Sequence, residues 1–457
     1  MSRFASVLWP GLMVLAAGCG DGNGTTEPPP APSIDEQLRQ RIQGAGVIPV
    51  GAMPAQNPAQ AELGQALFFD PLLSGNRDIA CATCHNPLTH GGDGLSLAIG
   101  TGGSGIGASR TLGPGRSFVP RRAPSLLDRG LGLSYLFWDA RLQRFGGLGG
   151  PGLRPTPSPV LPPGVTDILA AQAMLPVLNR VEMRGEPGDL DLLGNPNELA
   201  QLADSEYTRV WAGVMNRLLA IPEYVAKFNA AFPGIPQGQL GFQQAAAAIA
   251  SFQKQAFTRT GSPFDRYLDR DDAALTPAQK QGALLFFGKA RCSQCHAGPF
   301  LGGQSFANVG APQVGPGTGS GAPLDFGVGD VFGASSYQFA FRVAPLRNVE
   351  LTPPYFHSGA YPTLEAVVKH YNDVPKALRE FDVTQLAPAL RGSFHGDEAT
   401  IAAMLTTLDS RLRTPLELTT AEQQSLVTFL KALTDPTAVD LSGLIPARVP
   451  SGLPVPR

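Results

Sequence analysis

Two pentapeptides constrain this chain more than anything else in it: Cys81-Ala82-Thr83-Cys84-His85 and Cys292-Ser293-Gln294-Cys295-His296. In Cys-x-x-Cys-His, two thiols on one turn can add to the two vinyl groups of a haem while the next residue sets an imidazole under the iron. A four-Cys zinc site is the competing chemistry; it needs the two pairs to meet in space and leaves both following His unexplained. Only 6 His occur in 457 residues, so His after both pairs is no accident of composition. The pattern predicts two covalently bound haem c groups, attached at Cys81, Cys84, Cys292 and Cys295, with His85 and His296 as iron ligands. Of the other imidazoles, His90, His357, His370 and His395 are each more often surface or hydrogen-bonded residues than ligands.

The fifth Cys explains itself by position. Arg3, an apolar run from Val7 to Leu15, and Ala16-Ala17-Gly18 before Cys19 have the three zones of an export signal, too short to span a bilayer in the mature protein. Small residues immediately ahead of Cys19 resemble a bacterial lipoprotein processing site. We therefore expect residues 1–18 to be removed, Cys19 to be lipidated, and 19–35, rich in Gly, Thr and Pro, to tether the folded body. The expected location is the periplasmic side of a bacterial membrane, held by a lipid anchor only. A net charge of −2 offers no basic patch and argues against a nucleic-acid partner.

The pentapeptides sit in a repeat. Gly64-Gln65-Ala66-Leu67-Phe68-Phe69 precedes the first and Gly282-Ala283-Leu284-Leu285-Phe286-Phe287 the second, which suggests two related domains. Thr276 as N-cap with Pro277 after it starts a helix into the second copy. Thr420-Ala421-Glu422-Gln423 reads as a capping box opening a closing helix with a Leu426, Phe429, Leu430, Leu433 stripe. Residues 239–258 are Ala-rich and helical in pattern, whereas 100–115, 146–164 and 302–333 are Gly/Pro-rich and read as irregular loops. No stretch has the spacing of a sandwich or a parallel sheet. The fold class is mostly α.

Further motifs, in order, are similar to the bacterial di-haem cytochrome c peroxidase family, including its MauG-like branch, over nearly the whole mature chain. They are Ala123-Pro124-Ser125-Leu126 with Phe137-Trp138-Asp139; Gln172 followed ten residues later by Glu182 in Val181-Glu182-Met183; Pro345-Leu346-Arg347-Asn348-Val349; and the run from Leu351 to Gly359 containing Tyr355-Phe356-His357. The resemblance implies two cytochrome c-like domains: 36–270 with the peroxidatic haem on His85, and 271–445 with an electron-transfer haem on His296, followed by a tail, 446–457. It implies Glu182 as proton shuttle, Gln172 as the group orienting peroxide, and Trp138 as relay between the haems. A carboxylate suits the task, because splitting peroxide requires moving a proton from one oxygen to the other.

Three departures from the family pattern matter. Tyr371 stands where plain peroxidases place a Met on the second iron, as in the MauG-like branch, with the neighbouring His370 as the alternative ligand. Thr101 stands where many members carry a distal His, so the first haem is expected to be open and high-spin as isolated. Thr352 and Pro354 match an interdomain calcium site, but Arg122 replaces its Asn, which puts calcium in doubt. The implied activity is reduction of hydrogen peroxide with electrons from a small exported donor such as a cytochrome c or cupredoxin. The alternatives are a MauG-like enzyme that uses peroxide to oxidise a protein or organic substrate, and a di-haem electron carrier without peroxide turnover.

Overall fold

The computed structural model describes residues 31–145 and 152–457; the export signal, Cys19 and the start of the tether lie outside the described residues. The helices that position the site are α1 (Ile34–Gly44), α2 (Pro58–Phe69), α3 (Ile168–Ala173), α4 (Phe242–Phe257), α5 (Pro277–Phe286), α6 (Leu364–Asn372) and α7 (Thr420–Lys431). The chain is mostly helical, with about 44% helix against 7% strand.

The sequence repeat is a repeated helix crossing. Helix α2 packs on α4, and α5 packs on α7. At the first crossing a Cβ on Gly64 would lie 2.0 Å from the Ala248 carbonyl oxygen; at the second, a Cβ on Gly282 would lie 2.0 Å from the Ser425 carbonyl oxygen. Only hydrogen fits at either point, so the paired glycines let the backbones touch and bring the Phe pairs behind them into contact. Phe68 meets Phe252 and Phe286 meets Phe429, each with ring centres 5.3 Å apart. Gly64→Ala must push α2 off α4, and overpacking of this kind costs about 1–3 kcal/mol. A lowered unfolding midpoint of the haem-loaded protein is the expected result; an unchanged midpoint would show that the crossing has slack.

Two apolar cores result, and they do not divide the chain in sequence order. Leu38 and Ile42 of α1 belong to the core built by residues 264–433, while Ala438, Leu441 and Val449 near the C-terminus belong to the core built around α2 and α4. Polar contacts secure both ends: the Tyr267 hydroxyl donates to Asp35 at 2.9 Å, and Ser451 donates to Asp70 at 2.7 Å, beside the Tyr224 hydroxyl on the same carboxylate. Each half is thus closed by a segment from the far end of the chain.

Local expectations hold with three differences, one of them a strand (Phe306–Ala307) and a short helix (Val328–Phe332) inside the stretch 302–333 read as irregular. Thr276 caps α5 by accepting from the Gln279 N–H, with Pro277 behind it. The capping box of α7 is set one residue earlier than expected, on Thr419, whose hydroxyl accepts from the Glu422 N–H while the Glu422 carboxylate accepts from the Thr419 N–H. A small antiparallel sheet joins β1 (Tyr135–Leu136), β2 (Leu142–Phe145) and β3 (Gly152–Pro155), the last inside a stretch read as irregular; its strands are too short to show a period in sequence. Among the described residues, no helix is long and apolar enough to cross a membrane.

Candidate active site

Each pentapeptide wraps as one tight turn. The His85 N–H donates to the Cys81 carbonyl and the His296 N–H to the Cys292 carbonyl, both at 2.9 Å, so thiols and imidazole of each motif face one direction. Each ring is then oriented by a backbone carbonyl: His85 Nδ1 lies 2.9 Å from the Gly91 oxygen and His296 Nδ1 lies 3.1 Å from the Leu301 oxygen. Those bonds occupy Nδ1 and leave Nε2 available to a metal ion, the arrangement by which a second contact would fix a ligand's tautomer. Burial lowers both imidazoles, His296 to about 4, which keeps them neutral as ligands must be.

The two motifs open into different cavities. One, of about 1460 Å³ counting its mouth, is lined by Cys81, Cys84, His85, Trp138, Gln172, Glu182 and mainly apolar neighbours. The other, about 1600 Å³, is lined by Cys292, Cys295, His296 and Tyr371. The Cys pairs therefore do not converge, and among the described residues no cluster of His, Cys, Asp or Glu could hold a metal ion, which removes the four-Cys zinc alternative. The cavities fit haem in a further way. Arg122, Arg129 and Arg342 line both, and each has a buried guanidinium N–H without a hydrogen-bond partner, as carboxylate-bearing tetrapyrroles would require.

In the first cavity Glu182 sits on a π-turn, Arg180–Arg184, capped by the Asn179 side chain. Asn179 Nδ2 donates to Glu182 Oε1 at 3.2 Å, and an Arg141 guanidinium nitrogen lies 3.9 Å from the same oxygen. Burial raises the Glu182 carboxyl above its ordinary value, partly offset by the charges of Arg141 and Arg121. Gln172 projects from α3 into the same cavity. Thr101 is turned away: its hydroxyl donates to Asp78 at 2.8 Å and its N–H holds the Glu182 carbonyl at 3.0 Å. Among the described residues His85 is the one imidazole lining this cavity.

In the second cavity two neighbours on α6 part company. Tyr371 faces the cavity, whereas both ring nitrogens of His370 are engaged, with the Tyr361 hydroxyl at 2.9 Å and the Val309 carbonyl at 2.8 Å. His90 and His395 each contact a backbone carbonyl and line neither cavity. His357 stacks on Phe341 with ring centres 3.6 Å apart in the second cavity's wall. Thr352 lines that wall too, its hydroxyl donating to the Val349 carbonyl at 3.2 Å, and Pro354 follows a cis peptide bond.

Trp138 belongs to both cavities and is held from both halves. Its indole N–H donates to the Arg122 carbonyl at 3.1 Å, and its own carbonyl accepts from the Arg342 N–H at 2.8 Å. Next to it, Arg121 bridges Asp139 and Asp325, the latter through two bonds of 2.6 and 2.8 Å, tying the Trp138 loop to the second half. Sequence reading gave no role to Arg121, Arg129, Arg141 or Arg342; an isolated Arg carries no sign of where it is buried.

Fold and paired sites define a di-haem c protein of the peroxidase type. The chain belongs to the di-haem cytochrome c peroxidase family, whose model matches residues 58–273. It is similar to the methylamine utilization protein MauG of Methylorubrum extorquens, 30% identical over 73% of this chain and 74% of that one. It is also similar to the cytochrome c551 peroxidase of Pseudomonas aeruginosa, 34% identical over 66% of this chain and 68% of that one. Its fold is shared with a MauG-like protein associated with microbial copper homeostasis (TM-score 0.57, 24% identity, 86% and 94% covered). The diheme peroxidase BthA of Burkholderia thailandensis shares it too (TM-score 0.55, 20% identity, 90% and 96% covered). The chain is an oxidoreductase with two haem c groups.

Proposed function

We propose that this protein reduces hydrogen peroxide to water at the His85 site, with electrons delivered through the His296 site and Trp138. The observation that carries the reading is the juxtaposition in one cavity of His85, Glu182 and Gln172, with Trp138 shared between that cavity and the next. A c-type haem supplies iron that can bind peroxide and pass electrons to it. Glu182 takes a proton from one peroxide oxygen and returns it to the other, its carboxylate aimed by Asn179 Nδ2. Gln172 hydrogen-bonds the peroxide and restricts its orientation. A side chamber of about 540 Å³, lined by Arg141, Pro155, Pro159 and Glu182, supports access from solvent to the carboxylate. With Thr101 bonded away and His85 the one imidazole lining this cavity among the described residues, a haem iron held by His85 would lack a second imidazole, so the ferric protein is expected to show one high-spin haem without prior reduction.

For the second site we assign Tyr371 as the far-side ligand, supported by its place in the cavity wall and by the full engagement of His370. Burial holds the free phenol well above its ordinary value, with a smaller contribution from the Cys thiols that thioether formation removes. A phenolate on the iron favours the oxidised state, which suits a site that shares oxidising equivalents. Tyr371→Phe is expected to alter the optical spectrum of one haem and leave the other as it was. Unaltered spectra of both haems would exclude Tyr371 as a ligand.

Tyr371 also favours the MauG-like reading, in which the oxidising power goes to a protein or organic substrate. The export signal and Cys19 support a lipid-anchored location on the periplasmic side, where a small cytochrome or cupredoxin would serve as donor. The deciding experiment adds stoichiometric peroxide to the purified protein and follows its spectrum, then adds candidate donors. Rapid spectral change followed by donor oxidation is the expected result; no change on adding peroxide would leave a di-haem electron carrier.

A further inference from the structure

The wall between the two cavities holds three arginines that each keep a buried guanidinium N–H without an acceptor, although the charge of Asp93 acts on Arg122 and that of Asp128 on Arg129. Arg122 and Arg342 are buried and Arg129 partly buried, and all three line both cavities. The Arg122 guanidinium makes no hydrogen bond or ion pair among the described residues, and its Nε is buried without a partner. Arg129 and Arg342 each spend Nε on a carbonyl, of Ser125 at 2.8 Å and Phe137 at 3.1 Å, and each leaves Nη1 buried and unmet. The contrast with Arg121, which satisfies itself on two carboxylates a few ångströms away, shows that the region does not lack the means to pair an arginine. Burial pulls Arg122 and Arg129 down to about 10, and Arg129 lowers Arg342 further by like charge. Guanidinium groups stay charged under such pressure, so the arrangement calls for anions from outside the polypeptide.

We infer that Arg122, Arg129 and Arg342 form a carboxylate receptor that takes propionate groups of both haems in the shared wall, with Arg122 supplying the positive charge there in place of a divalent cation. The inference rests on the di-haem reading above and adds which residues join the two cofactors electrostatically. Planar N–H forks match carboxylates in pairs, and the Arg122 backbone N–H is itself fixed by the His357 carbonyl at 2.9 Å, so the group is set by both halves. A divalent ion placed among three guanidinium groups would be repelled, and among the described residues no acidic cluster offers it ligands.

The test uses the holoprotein with both haems attached and reads metal content and haem midpoint potentials. Exhaustively chelated protein is expected to hold well under one equivalent of divalent metal per chain and to keep its spectra and potentials. Arg122→Gln and Arg342→Gln should each shift both potentials downward, because a lost positive charge favours the oxidised iron, while Arg122→Lys should remain close to the parent. About one tightly bound divalent ion per chain, or Gln variants with both potentials unmoved, would each overturn the receptor. Fewer than two attached haems in the parent would instead overturn the di-haem reading itself.

Discussion

Glu182→Gln is expected to lower peroxide turnover by about 10²–10⁴, the usual worth of a positioned acid–base group, with both haems still attached and their resting spectra unchanged. The substitution keeps the size of the side chain and its contact with Asn179 while removing the ability to hold a proton in transit. Glu182 must begin ionised to accept that proton, and burial raises its pKa above the ordinary value. Turnover should therefore fall as pH falls through that raised value, and the Gln variant should lose this limb of the profile along with the rate. Turnover within a few-fold of the parent would remove Glu182 from the mechanism. A lost rate with the acidic limb intact would assign the limb to another group.

Arg121→Ala is expected to cost about 3–5 kcal/mol of stability, because it strands the Asp325 carboxylate in a buried site and leaves Asp139 only its longer pair with Arg141 at 3.5 Å. The side chains of Arg121, Asp139 and Asp325 are 10%, 6% and 4% exposed, so water cannot take over the pairing. Burial by itself would raise both carboxyls; Arg121, helped by Arg141 at Asp139 and by the Gly327 N–H at Asp325, more than offsets it, and both lie below their ordinary values. For a carboxyl lowered on folding, the stabilisation is present above the unfolded-state value and fades as pH drops through the folded one. The parent should thus lose stability on acidification below the ordinary carboxylate range, and the variant should show a much flatter acid limb. Denaturant unfolding of the haem-loaded protein across pH provides the check, and a loss below about 1 kcal/mol would place the triad among the weak ion pairs. Because Asp139 follows Trp138, the same variant should slow electron delivery between the haems.

Much of the candidate site was legible because its chemistry is local. Both pentapeptides, the N-cap at Thr276 and the Gly-then-Phe-Phe repeat are statements about a few consecutive residues, and the structure realises each within one turn or one crossing. Where a local rule was misread, the error was one register: the α7 cap is Thr419, whose hydroxyl accepts from the Glu422 N–H. The family resemblance brought Gln172, Glu182 and Trp138 together in advance, although α3 and the π-turn that carry the first two are too short to announce themselves by periodicity.

By itself the sequence determined what can be attached to this protein: thiol pairs on one turn with an imidazole beside them, twice, each just after a helix whose glycine lets it touch its neighbour. Tertiary structure alone decided how the two attachment sites meet. Segment 34–44 closes the far half and the C-terminal tail closes the near one; Tyr371 faces a cavity while His370 turns away; and Arg122, Arg129 and Arg342, separated in the chain, share one wall. Covalent and capping preferences act over a turn, whereas the desolvation that makes a guanidinium seek an anion exists only after distant segments have excluded water around it.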